Sequence, residues 1–102
     1  MLAEFTHATF AGLVGQRFRV QTSSGTTGEF ELVQAAKLPV HRGRDGQQIR
    51  REPFSLLFRG PKETIMPQRI YALEQETLGR VEIFLVPIGP DEIGQRYEAV
   101  FN

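Results

Sequence analysis

The chain has 102 residues, no cysteine, and 12 basic against 12 acidic side chains, for a formal charge of zero. That is the length of one small domain, here taken as 1–102, and it excludes a disulfide framework, a thiolate metal site and a cysteine nucleophile. Valine, isoleucine, leucine and phenylalanine supply 30 of the residues, above the level at which a chain stays unfolded for want of apolar surface.

Met1 to His7 show no basic stretch followed by an apolar run, so no secretion signal is expected. The longest unbroken apolar run, Ile83 to Ile88, falls far short of the roughly 20 residues that span a bilayer. The expected address at synthesis is the cytoplasm, with no membrane partner.

The first element reads as one short helix over about 6–14. Thr6 is placed to cap it by accepting from the backbone N–H of Ala8 or Thr9, and Phe5 is placed to pack on Phe10 as a staple. Phe10, Leu13 and Val14 fall at i, i+3 and i+4, and Gly15 can end the segment in a left-handed conformation.

From Gln16 the period changes to two. Phe18 and Val20 alternate with Arg17, Arg19 and Gln21; after a loop of Ser, Thr and Gly, Phe30 and Leu32 alternate with Glu29 and Glu31. This predicts a hairpin with one dry face and one wet face, its arginines opposite its glutamates. Residues 38–52, with Pro39, His41, Gly43 and Gly46, lack an apolar repeat and read as a loop.

Phe54 to Phe58 is apolar on both faces except at Ser55, which predicts a strand covered on two sides. Pro61 and Pro67 keep 60–68 out of any regular ladder. Three further strands are expected: Ile70 to Glu76, Arg80 to Pro87, and one carrying Tyr97, Ala99 and Phe101 on a single face. The second of these becomes two-sided at Phe84 and Val86. The fold class expected is mainly β: a small antiparallel six-stranded barrel or two-layer sandwich with one short N-terminal helix, the β region covering 16–102. The helix is expected to plug an end or cover an edge. No βαβ unit is visible, which argues against a dinucleotide-binding domain.

Charge is unevenly distributed. Lys37, Arg42, Arg44, Arg50 and Arg51 against Asp45 give residues 37–51 a net +4, while residues 71–102 carry a net −4. Such segments attract each other within one fold or between molecules.

The chemistry-bearing residues do not converge into a motif. His7 and His41 share no ligand spacing, so no metal and no cofactor is expected. Ser55 lacks the glycines of a nucleophile elbow. The carboxylate pairs Glu29/Glu31, Glu74/Glu76 and Asp91/Glu92 match the wet face of a sheet as well as they match glycoside chemistry. An enzyme would need them to converge with a histidine in a cleft. A barrel that binds single-stranded nucleic acid or a small ligand is the stronger alternative. It would use the 41–51 loop with Arg42, Arg44, Arg50 and Arg51, beside a mouth lined by Phe54, Tyr71 or Tyr97. The near-neutral pI and the acidic strands weigh against nucleic acid.

At the level of strings the chain resembles a family of uncharacterised bacterial proteins of about this length. The likeness is carried by Phe5-Thr6-His7-Ala8-Thr9-Phe10 with Gly15, by Arg51-Glu52-Pro53-Phe54-Ser55-Leu56-Leu57-Phe58-Arg59-Gly60-Pro61, and by Met66-Pro67-Gln68 before Tyr71. It continues in Phe84-Leu85-Val86-Pro87-Ile88-Gly89-Pro90 and Tyr97-Glu98-Ala99-Val100-Phe101-Asn102. Members of that family, a domain of unknown function, tend to be encoded beside phage-tail-collar proteins of the microcystin-dependent type. The resemblance implies an accessory role around a tail-fibre-like particle and assigns no catalytic residue. Together these readings lead to a non-enzymatic structural or interaction protein, associating with itself or with a tail-collar-type partner. The expected interface is the apolar strand residues Phe54, Leu56, Leu57, Phe58, Phe84 and Val86.

Overall fold

A computed structural model describes residues 5–21, 27–39 and 53–101. One short helix, α1 (His7–Ala11), precedes six strands: β1 (Arg17–Gln21), β2 (Thr27–Lys37), β3 (Phe54–Gly60), β4 (Arg69–Gln75), β5 (Gly79–Pro90) and β6 (Gln95–Phe101). The helix is shorter than the 6–14 expected. Its start matches the expectation: Thr6 and Thr9 cap reciprocally, the Thr6 N–H donating to Thr9 Oγ1 at 3.1 Å, and the Phe5 ring meets Phe10 edge-on at 5.5 Å. Its end does not, because Gly12 closes the helix and the chain then folds back through two turns, Leu13 N–H to Phe10 O and Gln16 N–H to Leu13 O, each at 2.9 Å. Gly15, at φ +92°, takes the left-handed position that makes this reversal possible.

The strands close into a barrel in the order β1-β2-β3-β6-β5-β4, with antiparallel neighbours throughout, so the barrel holds and the sandwich does not. Two meanders, β1-β2-β3 and β4-β5-β6, are joined by β3 against β6. Closure depends on the two longest strands each serving two neighbours. β2 pairs with β1 over Thr27–Glu31 and with β3 over Glu31–Lys37, with a bulge between Leu32 and Gln34. Similarly, β5 pairs with β4 from Gly79 to Leu85 and with β6 from Val86 to Pro90, with a bulge between Pro87 and Gly89. Bulges bend a strand and increase its twist, which is what turns a flat sheet into a closed one. Between β1 and β4 the described residues include the pairs Arg19 opposite Glu74 and Val20 opposite Leu73.

Pro87 and Pro90 therefore lie inside β5, which runs past the end expected for it at Pro87. They are tolerated because this half of the strand pairs on one side only. β4 ends one residue earlier than expected, so Glu76 falls in the turn. There the buried Gln75 side chain accepts from the N–H groups of Thr77 (2.7 Å) and Leu78 (2.9 Å).

Rings fill the lumen. Phe18, Phe30, Phe58 and Tyr97 are fully buried, with Phe18 on Phe58 at 5.2 Å and Phe30 on Tyr97 at 5.0 Å. Each such burial contributes about 1.5–3 kcal/mol. At one end α1 drives Phe10 against Phe54 and Phe101, which stack on each other at 4.7 Å, while His7 Nε2 hydrogen-bonds the Ala35 carbonyl of β2 at 3.0 Å. At the other end the 61–68 connector is tied across the opening. The Tyr97 hydroxyl accepts from Met66 N–H (2.9 Å) and donates to Thr64 O (3.3 Å), Tyr71 OH donates to Pro67 O, and Gln95 Nε2 donates to Lys62 O at 2.9 Å.

Candidate functional site

With rings inside and both ends covered, chemistry must be sought on the outer surface. Strand parity decides what is there. Along β3 the residues Phe54, Leu56, Phe58 and Gly60 point inward, and Ser55, Leu57 and Arg59 point outward. The strand is thus single-sided with one outward leucine, not apolar on both faces. Phe54, Leu56 and Phe58, expected at an interface, are core residues at 0–1% exposure and are corrected accordingly. The expected aromatic mouth fails for the same reason: Phe54, Tyr71 and Tyr97 are buried in the core. Of the other interface residues, Leu57 and Val86 are half-buried on the outside and Phe84 is exposed. Arg42, Arg44, Arg50 and Arg51 lie outside the described residues.

Two outer features stand out. The first is a row of apolar side chains at wet parity. Ile70 of β4 lies directly opposite Phe84 of β5; on the neighbouring strand β6, whose ladder with β5 ends at Val86–Glu98, Val100 lies two residues beyond that pair at the same outward parity. Their exposures are 64%, 48% and 52%. Val86 and Leu57, both half-buried, lie on either side of exposed Glu98 in the next row. Each exposed member breaks an alternation that its strand otherwise keeps: Tyr71, Leu73, Ile83, Leu85, Tyr97 and Ala99 already fill the inner face. That parity break is the signal by which sequence reasoning could have found Ile70 and Val100, as it found Phe84.

The second is a cleft of about 600 Å³ on the outside of β1, β2 and the end of β3, reaching Ile93 in the β5–β6 turn. Charges line it in alternation. Arg17 lies opposite Glu31, which lies opposite Arg59; Arg19 sits between Glu29 on β2 and Glu74 on β4, and Glu74 faces Arg80. The hairpin's arginines and glutamates thus pair across the ladder as expected. Arg17 Nη1 and Glu29 Oε1, at 3.1 Å, form an exposed ion pair of the kind that contributes only tenths of a kcal/mol. By contrast, Arg59 donates from Nε (2.9 Å) and Nη2 (2.7 Å) to Asp91 Oδ2, while Asp91 Oδ1 accepts the N–H groups of Ile93 and Gly94, both at 2.8 Å. The Arg59 hydrogen bonds, followed by the Gly94 N–H, hold the Asp91 carboxyl well below the usual carboxylate range. A phosphate chain laid over this surface would meet a glutamate beside most of its arginines.

Glu29 and Glu31 share an outer face but stand among these arginines, and His7 is at the opposite end of the barrel, bonded to Ala35. Among the described residues no three of His, Asp and Glu are grouped to hold a metal ion, and no helix is long and apolar enough to cross a membrane.

The whole described architecture, from Phe5 to the end of β6, coincides with one family model. Residues 5–101 match the family described as a domain of unknown function (DUF6916). The chain belongs to that family. No curated protein and no solved structure matches it, so the barrel, its apolar row and its charged cleft are the features from which a role for this family member has to be argued.

Proposed function

We propose that the protein is a non-enzymatic interaction protein that docks a protein partner through the outer face of β4, β5 and β6. The observation that carries this reading is the row Ile70, Phe84 and Val100, three large apolar side chains on adjacent strands, each about half exposed or more. Scattered exposed leucines and valines are ordinary, but large apolar side chains at the outward parity of three neighbouring strands, two of them directly paired, are the pattern of a docking surface. Leu57 and Val86 extend it, so three of the six interface residues expected from sequence belong to the proposed surface.

The partner is a different protein, with apolar side chains flanked by basic ones. Glu82 and Glu98 border the row on either side. A two-fold pairing of copies centred on Phe84 would bring like charges together in a drying interface, whereas a basic rim on a partner would neutralise them. The string resemblance supports a tail-fibre-like assembly, with a tail-collar-type protein as partner, as the setting for this docking.

The test compares the wild-type chain with Phe84→Glu and Val100→Glu, all confirmed folded by their melting curves. Affinity capture from the native source should recover a partner in stoichiometric amount with the wild type, and neither variant should retain it. Sedimentation of the pure chain across a concentration series should show a monomer. A dimer dissolved by Phe84→Glu would make a second copy the occupant and overturn the choice of partner; a monomer that recovers nothing would overturn the docking reading.

A further inference from the structure

β3 and β4 are consecutive in sequence but not neighbours in the barrel. β6 and β5 stand between them, so residues 61–68 have to cross the end of the barrel to join the two strands. A crossing segment has no ladder to extend. Among the described residues its only backbone–backbone hydrogen bond is internal, from Thr64 N–H to Pro61 O at 3.5 Å. Pro61 and Pro67, near its two ends, have no N–H with which to continue β3 or begin β4.

What holds the segment comes from side chains of the barrel. Tyr97 OH accepts from Met66 N–H at 2.9 Å and donates to Thr64 O at 3.3 Å, Gln95 Nε2 donates to Lys62 O at 2.9 Å, and Tyr71 OH donates to Pro67 O. Tyr71, Gln95 and Tyr97 are all buried, and each of these bonds ends on connector main chain. The connector's own side chains add one anchor: Met66 is half-buried against the core, and the other residues of 61–68 are exposed.

Four side-chain-to-backbone bonds and one apolar anchor hold much less than six strands wound round a lumen filled with rings. A segment of this kind opens at a lower free energy than the whole domain, and its opening exposes little surface. The four bonds also depend on one another, because each orders the same short piece of chain and so lowers the cost of forming the next.

We infer that residues 61–68 form a hinged strap, which swings off the barrel end as one unit about Gly60–Pro61 and Pro67–Gln68 while all six strands stay paired. In the open form the phenol ends of Tyr71 and Tyr97 and the amide of Gln95 are released to the barrel opening. The strap contains no residue of the row Ile70, Phe84 and Val100, so this inference and the docking reading fail independently.

The experiment is native-state hydrogen exchange by NMR on the isotope-labelled full chain and on Tyr71→Phe and Gln95→Met, each confirmed folded by its melting curve. Two amides are followed at increasing urea below the unfolding midpoint, with each rate corrected for its intrinsic value. Met66 N–H belongs to the strap, and Leu32 N–H, which donates to Gln16 O at 3.0 Å, belongs to the barrel wall. In the wild type Met66 should exchange at least about ten-fold faster than Leu32, with a much shallower dependence on urea. Tyr71→Phe and Gln95→Met each remove a strap bond other than the one Met66 N–H makes, and each should speed Met66 by about 2–12-fold. Equal rates and equal urea slopes for the two amides would mean that the segment is released only when the barrel unfolds, and would overturn the proposal. So would a Met66 rate that keeps its wild-type value in one or both variants, because the bonds would then break separately.

Discussion

Arg59 and Asp91 are joined by two hydrogen bonds to a single carboxylate oxygen, at 2.9 and 2.7 Å, while the other oxygen of Asp91 caps the β5–β6 turn. The pair fastens the end of β3 to the turn that walls the charged cleft. It differs from the exposed Arg17–Glu29 pair in having four donors on one carboxylate and partial burial of both partners.

Asp91→Asn should destabilise the fold at neutral pH, and the loss should itself depend on pH. The folded-state pKa of Asp91 is depressed, so its contribution is fully present above the ordinary aspartate value of about 3.9 and is lost as pH falls below that toward the folded value. Urea midpoints for the wild type and Asp91→Asn should differ at pH 7 and draw together as pH falls below about 4. Removing Arg17 or Glu29 should shift the midpoint far less.

Glycine at 94 is required by proximity. A Cβ there would overlap the Gly60 carbonyl oxygen and come within 3.0 Å of Arg59 Cγ; at Gly60 it would lie 2.7 and 2.8 Å from Phe30 ring carbons. Gly94→Ala and Gly60→Ala should each cost about 1–3 kcal/mol in denaturant unfolding. Gly12→Ala is the contrast: nothing lies within 4 Å and φ is −76°, so it should be neutral or stabilising by up to about 1 kcal/mol.

Tyr97→Phe keeps the ring and removes the hydroxyl that holds Met66 N–H and Thr64 O. The expected loss is about 1–2 kcal/mol, with faster amide exchange at Met66 reporting release of the connector. Burial raises the neighbouring Tyr71 phenol above its ordinary value of 10, so its contribution is complete at neutral pH and is lost only as pH rises through that raised value.

Phe10→Ala should cost about 3–5 kcal/mol, because it removes a fully buried ring in contact with Phe5, Phe54 and Phe101. A helix of five residues has no stability of its own. Loss of the Phe5–Phe10 contact by NMR, with the barrel signals retained at low denaturant, would confirm that Phe10 is what anchors α1.

Apolar patterning sufficed to locate all six strands, and capping, glycine and proline signals located the Phe5–Phe10 staple, the left-handed Gly15 and the irregular connector with Pro61 and Pro67, because each is settled by interactions a few residues apart. Tertiary structure decided the rest. The run Phe54 to Phe58 looked two-sided because a sequence does not say which parity faces inward, and register with β2 and β6 places Phe54, Leu56 and Phe58 inside and leaves Leu57 outside. Ile70, Phe84 and Val100 became a surface only once the order β3-β6-β5-β4 set their strands side by side. Local chemistry fixes which segments extend and where they turn; long-range register decides which side chains meet.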